Sequence, residues 1–154
     1  MSINISTLTA IFAWSPAAWL HVTGEDAASF LQGQFTNDLR KSADEGAVYG
    51  LWLNVKGKVI ADSFVLRGRA ENEFWIGSYF SLAATIRERL ESHVIADDVT
   101  IEDVTAEWAG ISIIGADASG GDITSSSGDA FRFRGRRNRE GNVDCVFRVR
   151  DGPP

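Results

Sequence analysis

The chain has 154 residues, enough for one domain with a real core, and its 44% hydrophobic and 23% charged content is ordinary for a globular protein. A net charge of −6 repels polyanions and argues against nucleic-acid binding as the main role. Cys145 is the one cysteine, which excludes an internal disulfide and a multi-cysteine metal centre.

No basic residue precedes Arg40, and Pro16 interrupts the first apolar run, so the start does not read as a signal peptide. No run reaches the length that spans a bilayer. The expectation is a cytoplasmic protein with no membrane and no nucleic-acid partner.

Residues 1–15 carry Ile11, Phe12 and Trp14 and read as a short helix or a docked arm that ends at Pro16. Ala18 to Val22 alternates as a short strand, with His21 as a packed or surface histidine. Thr23-Gly24-Glu25-Asp26 opens a helix, with Thr23 placed to accept a free N–H and the two acids facing the dipole. Ala27, Phe30 and Leu31 share its apolar face, and Gly33 weakens it. Gln34, Thr36, Asn37 and Asp38 then crowd around Phe35 and Leu39, and Thr36 or Asn37 is placed to cap a second short turn. A helix that stops for such a cluster is either a capped corner or a polar binding edge.

Val48 to Leu53 and Val59 to Arg67 read as a hairpin. Its turn is Asn54 to Lys58, because Gly57 tolerates positive φ. Alternation puts Val59, Ala61, Ser63 and Val65 on one face. Asp62 then shares the other face with Ile60, Phe64 and Leu66. A carboxylate there needs a partner, or an open site above it.

Glu73 to Gly77 is a further strand. Ser81 to Ser92 is the clearest helix, with Leu82, Ile86 and Leu90 four apart and His93 at its end. Val99 to Val104 and Trp108 to Gly115 are strands, and residues 115–129 read as a flexible loop that lacks a phosphate-cradling ending. Ala130 to Arg136 and Val143 to Arg150 form a last hairpin, followed by a tail, residues 151–154. Seven of the fifteen basic residues are arginines between Arg132 and Arg150. That segment is either a solvated hairpin or a contact for an anionic ligand or partner. The sum is an α+β fold with largely antiparallel sheets, seven or eight strands and two or three helices.

Three stretches carry a resemblance: LHVTGEDAASFLQGQFTNDLR, LNVKGKVIADSFVLR and HVIADDVTIEDV. In order and spacing they are similar to the N-terminal region of the YgfZ/GcvT folate-binding superfamily. That group includes the glycine-cleavage T-protein, an aminomethyltransferase, and YgfZ-type proteins linked to iron–sulfur cluster assembly. The FLQGQ and KGK forms resemble the YgfZ branch more closely. The resemblance implies a tetrahydrofolate-binding region over residues 1–150, with the folate in a cavity shared by several subdomains. It implies Asp62 as the catalytic carboxylate, which would orient or take up a proton at the folate nitrogen. The ligand-binding candidates are Gln32, Gln34, Thr36, Asn37 and Asp38 of the polar run, with Asn54 and Lys56 at the hairpin turn. No metal ligand is implied.

The chain departs from the family in several places. The aminomethyltransferases carry adjacent aspartates where this chain has Ala61-Asp62. Their pterin-contacting Asn-Ala pair is replaced by Ile76-Gly77-Ser78. The YgfZ signature Lys-Gly-Cys-Tyr is absent, and Cys145 stands in DCVF as a small buried or edge residue. The family's C-terminal barrel is not found either, so a fragment or a reduced member is expected. Three functions stay open: a folate-binding protein of one-carbon or iron–sulfur metabolism, a non-catalytic module that binds a protein partner or itself, and an active aminomethyltransferase.

Overall fold

The computed structural model describes residues 10–42, 46–115, 129–137 and 141–149, and the backbone of residues 125–126. In chain order the elements are β1 (Ala10–Trp14), β2 (Ala18–Thr23), α1 (Ala27–Gln34), β3 (Ala47–Leu53), β4 (Val59–Arg67), β5 (Glu73–Ser78) and α2 (Ala83–Glu91). They continue with β6 (Thr100–Asp103), β7 (Trp108–Ile114), β8 (Ser125–Ser126), β9 (Ala130–Arg134) and β10 (Asn142–Arg148). The expected loop over 115–129 and the tail at 151–154 lie largely or wholly outside the described residues.

Two five-stranded sheets form, in the orders β3-β4-β5-β2-β6 and β1-β7-β10-β9-β8. Every pairing between these strands is antiparallel. The expected α+β class is the observed one. Among the described residues, no helix is long and apolar enough to cross a membrane.

The first sheet has a core on each face, and side-chain alternation sorts residues between them. Ala61 and Val65 of β4 join Leu20, Val22, Phe30, Leu31, Ile86 and Leu90 beneath the two helices. Phe64 and Leu66 of the same strand turn to the second sheet, where they meet Trp19, Trp75, Trp108, Phe131 and Phe133. Each such large side chain contributes about 1.5–3 kcal/mol on burial. The inter-sheet core is held by ring packing, with Trp19–Trp108 centroids 5.4 Å apart and Phe64–Phe133 5.1 Å apart. The hairpin turn also follows the sequence reading: Gly57 has φ +76°, and Asn54 Oδ1 accepts from the N–H groups of Lys56 and Lys58.

Four local expectations are corrected. The segment before Pro16 is a strand where described, because β7 supplies its hydrogen bonds from Gly110 to Ile114. Thr23 does not cap α1; it pairs with Glu73 and Thr100 at the end of β2. The helix start is tied instead by Asp26, whose carboxylate accepts from Asp98 N–H at 2.8 Å. The short helical turn Leu39–Lys41 is capped by Asp38 through Arg40 N–H at 3.0 Å, not by Thr36 or Asn37. On α2 the inward residues are Ala83, Ile86 and Leu90, while Leu82 is 63% exposed. Leu82 precedes the helix in extended conformation, so the helical spacing does not reach it.

Candidate functional site

At one end of the inter-sheet space the aromatic core gives way to polar groups. A cavity of about 350 Å³ opens there, lined by Tyr49, Asp62, Tyr79, Phe80, Arg136 and Arg137. β3 and β4 bring Tyr49 and Asp62 together, because Leu51 is the register partner of Asp62 and Tyr49 lies two residues along on the same face. Tyr79 and Phe80 follow β5, and the two arginines lie in the connection between β9 and β10.

Asp62 has the partners that its position demands. Its Oδ2 accepts from Tyr49 Oη at 2.8 Å. Its Oδ1 accepts from Ser81 Oγ at 2.6 Å and Ser78 Oγ at 3.3 Å. Partial burial opposes ionisation, but these hydrogen bonds from Ser81, Tyr49 and Ser78 outweigh it and hold the carboxyl below its ordinary value. Asp62 is therefore ionised at neutral pH, an acceptor for N–H groups and a weak base. Burial, reinforced by Asp62, pushes the Tyr49 hydroxyl above its ordinary value. Tyr49 stays a neutral donor.

The arginines stack on the cavity's aromatic rings. The Arg136 guanidinium lies 3.9 Å from the Tyr49 ring centroid. That of Arg137 lies 4.2 Å from Tyr79 and about 5 Å from Phe12 and Trp14. Arg137 Nε also donates to Ser112 Oγ at 3.0 Å. Beneath them Tyr79 Oη donates to Asp144, and burial with this neighbour raises the Tyr79 hydroxyl far above its ordinary value.

The other candidates do not line this cavity. Gln32 Oε1 accepts from Leu39 N–H at 2.9 Å. Thr36 Oγ1 accepts from Leu51 N–H at 2.8 Å. Asn37 donates to the Tyr49 carbonyl at 3.0 Å and accepts from Asp38 N–H at 2.8 Å. Asp38 pairs with Arg40 at 2.7 Å. Gln34 is the last residue of α1, Asn54 shapes the turn, and Lys56 is exposed at its tip. The polar run thus forms a capped corner that props β3, one bond away from the Tyr49 backbone. His21 is a packed histidine: it stacks on Trp75 at 4.2 Å and lies 2.8 Å from Glu73 Oε1.

Sequence reading missed Tyr49, Tyr79, Arg137 and Asp144. Only the crowding of arginines after residue 132 signalled part of this group. Among the described residues, no group of three or more His, Cys, Asp or Glu is placed to hold a metal.

With this geometry in place, the relationship to known proteins is informative. The GCVT N-terminal domain family matches residues 4–140. The chain belongs to this family. The superfamily indicated by the three sequence stretches is thus the right one. The chain is 29% identical over 123 residues to sarcosine oxidase subunit alpha of Corynebacterium sp. (strain U-96), spanning 74% of this chain and 13% of that protein. It is 32% identical over 103 residues to the same subunit of Rhizobium meliloti (strain 1021), spanning 64% of this chain and 10% of that one. Its fold resembles that of glycine cleavage system aminomethyltransferase T from Bartonella henselae, with a TM-score of 0.74 and 17% identity over 92% of this chain and 42% of that one. The chain of this family member therefore spans only a small part of its curated relatives.

Proposed function

We propose that this GCVT-family chain binds a reduced folate in the cavity at Asp62. The carrying observation is the composition of one wall: an ionised acceptor, Asp62, beside two guanidinium groups stacked on tyrosines. That set fits tetrahydrofolate. The exposed Phe80 ring, beside the two arginine-stacked tyrosines, suits the planar pyrimidine half of the pteridine. Asp62 suits its N–H groups. Arg136 and Arg137 suit the carboxylates of its glutamate tail. Tetrahydrofolate would supply a nitrogen that carries a one-carbon unit. In this chain the ionised Asp62 accepts from the N–H groups of the ligand and so orients that nitrogen, and its low proton affinity favours orientation over removal.

The relatives are named as an oxidase subunit and an aminomethyltransferase. The folate region spans residues 1–150, with 151–154 as a tail, and the FLQGQ and KGK forms support a place near the YgfZ branch, with iron–sulfur cluster metabolism in the cytoplasm as the setting. The capped corner, Gln32 to Asp38, and the turn residues Asn54 and Lys56 support β3 and β4 at this site rather than contacting the pterin. Calorimetric titration of the purified chain with tetrahydrofolate tests the reading. Binding with quenched tryptophan emission is expected, since Trp14 lies 5.0 Å from Tyr79 at the cavity. No heat and no quenching at millimolar ligand would reject it.

A second reading is a non-catalytic interaction module. Phe80 and Leu82, 76% and 63% exposed beside Asp62's partner Ser81, favour it. It predicts concentration-dependent association in sizing; a concentration-independent monomer with no recovered partner argues against it.

A further inference from the structure

The connection that carries Arg136 and Arg137 is anchored through one buried group. Asp144 is 0% exposed on β10. Its Oδ1 accepts from Ser112 Oγ at 2.6 Å and Asn142 Nδ2 at 3.1 Å, and its Oδ2 from Tyr79 Oη. Each of these three donors in turn receives the arginine segment. Ser112 Oγ accepts from Arg137 Nε at 3.0 Å. Asn142 Oδ1 accepts from Arg137 N–H at 2.6 Å. Tyr79 Oη accepts from Arg136 N–H at 3.2 Å. Each hydroxyl donates to the carboxyl and keeps an oxygen lone pair for the arginine segment, while Asn142 gives its NH2 to the carboxyl and its oxygen to Arg137 N–H.

Gly135 makes the close approach possible. A Cβ there would stand 2.4 Å from Asn142 Oδ1 and 2.6 Å from Asp144 Oδ2. The chain therefore enters the arginine pair pressed against the carboxyl that organises it.

We infer that Asp144 is a positioning residue: through Ser112, Asn142 and Tyr79 it fixes the Arg137 guanidinium at the cavity and so sets the site's preference for ligands with an acidic tail. The ligand class rests on the folate reading above; the positioning does not. Asp144 is buried and does not line the cavity. An amide at 144 offers one acceptor oxygen instead of two. Its NH2 then faces Tyr79 Oη, which already receives Arg136 N–H. An alanine at 112 removes the acceptor of Arg137 Nε directly.

The test has a ligand-free arm and a ligand arm. By NMR, the Arg137 Nε–H is expected to be protected from solvent exchange in the wild type and to lose that protection in Asp144→Asn and in Ser112→Ala. Equal protection in all three overturns the positioning role. In titrations, the wild type is expected to bind tetrahydropteroyl-triglutamate about tenfold or more tighter than tetrahydropteroate, which has no tail. Asp144→Asn and Ser112→Ala should reduce that ratio toward 1 while tetrahydropteroate affinity stays within about twofold. In an Arg137→Lys background the Asp144→Asn change should no longer alter the ratio. A ratio that falls again there, or equal weakening for both ligands, shows that Asp144 acts on the fold and not through Arg137. If the wild type binds neither pteridine, the folate reading falls, and the Nε–H arm alone decides the positioning role. Should Asp144→Asn fail to fold, Ser112→Ala carries both arms.

Discussion

Asp62 separates a structural acceptor from a binding group, and two substitutions resolve the difference. Asp62→Ala strips the acceptor from three hydroxyls: Tyr49, Ser78 and Ser81. Each net hydrogen bond of this kind contributes about 1 kcal/mol, but water entering from the cavity recovers part of the loss, leaving a cost of about 1–2 kcal/mol. For a domain of 154 residues that lowers Tm by about 2–8 °C. Asp62→Asn keeps one acceptor oxygen for Ser78 and Ser81 and lets the Tyr49 hydroxyl turn to accept, so its Tm should fall by less than about 2 °C. Toward ligand the order reverses in importance. Asn loses the charge that strengthens a bond to a folate N–H, about 1.5–3 kcal/mol, which weakens binding by about ten- to a hundredfold. Differential scanning fluorimetry and calorimetric titration of the three proteins give both quantities. If Asp62→Asn binds tetrahydrofolate within twofold of the wild type while Asp62→Ala loses stability, Asp62 is an internal acceptor only. The binding role assigned to it is then wrong.

Two glycines, Gly33 in α1 and Gly50 in β3, should respond in opposite directions. A Cβ on Gly33, in α1, meets nothing within 4 Å, so Gly33→Ala is expected to stabilise by about 0.5–1 kcal/mol through helix propensity. A Cβ on Gly50 would lie 2.6 Å from Phe35 Cζ, so Gly50→Ala should destabilise by about 1–3 kcal/mol through overpacking; urea midpoints decide both. Acid should weaken the wild type. The Arg40 side-chain and backbone hydrogen bonds bring the Asp38 carboxyl from 3.8 to about 2. Asp62 and Glu73 also lie below their ordinary values. Groups depressed on folding stabilise above their unfolded values and lose that contribution as pH falls through the folded ones. Urea midpoints should therefore be level near neutrality, fall below about pH 4, and fall less steeply in Asp38→Asn; a midpoint that rises on acidification contradicts the assignment.

Local chemistry alone determined the hairpin β3–β4. Gly57 and Asn54 set its turn, β-branched and aromatic residues set its strands, and alternation placed Asp62 opposite Ala61 and Val65. The family segment from Leu53 to Arg67 lies in the same hairpin, because its residues serve a turn and a strand face that a short stretch specifies by itself. The sheet partners of β1 and the true inward face of α2 were not legible. The first depends on hydrogen bonds from β7, about a hundred residues later in the chain. The second depends on where the helix begins, and that is tied to the residue just before β2, since Ala83 N–H bonds to Ala17 C=O. The polar run read as either a capped corner or a binding edge, because composition does not say which acceptors and donors its side chains meet. Tertiary contacts engaged it with β3. The site itself is a long-range product. Tyr49 and Asp62 come from one sheet, while Arg136, Arg137 and Asp144 come from the other. Only the packing of the two sheets brings an acidic acceptor and an anchored pair of cations to one aromatic wall.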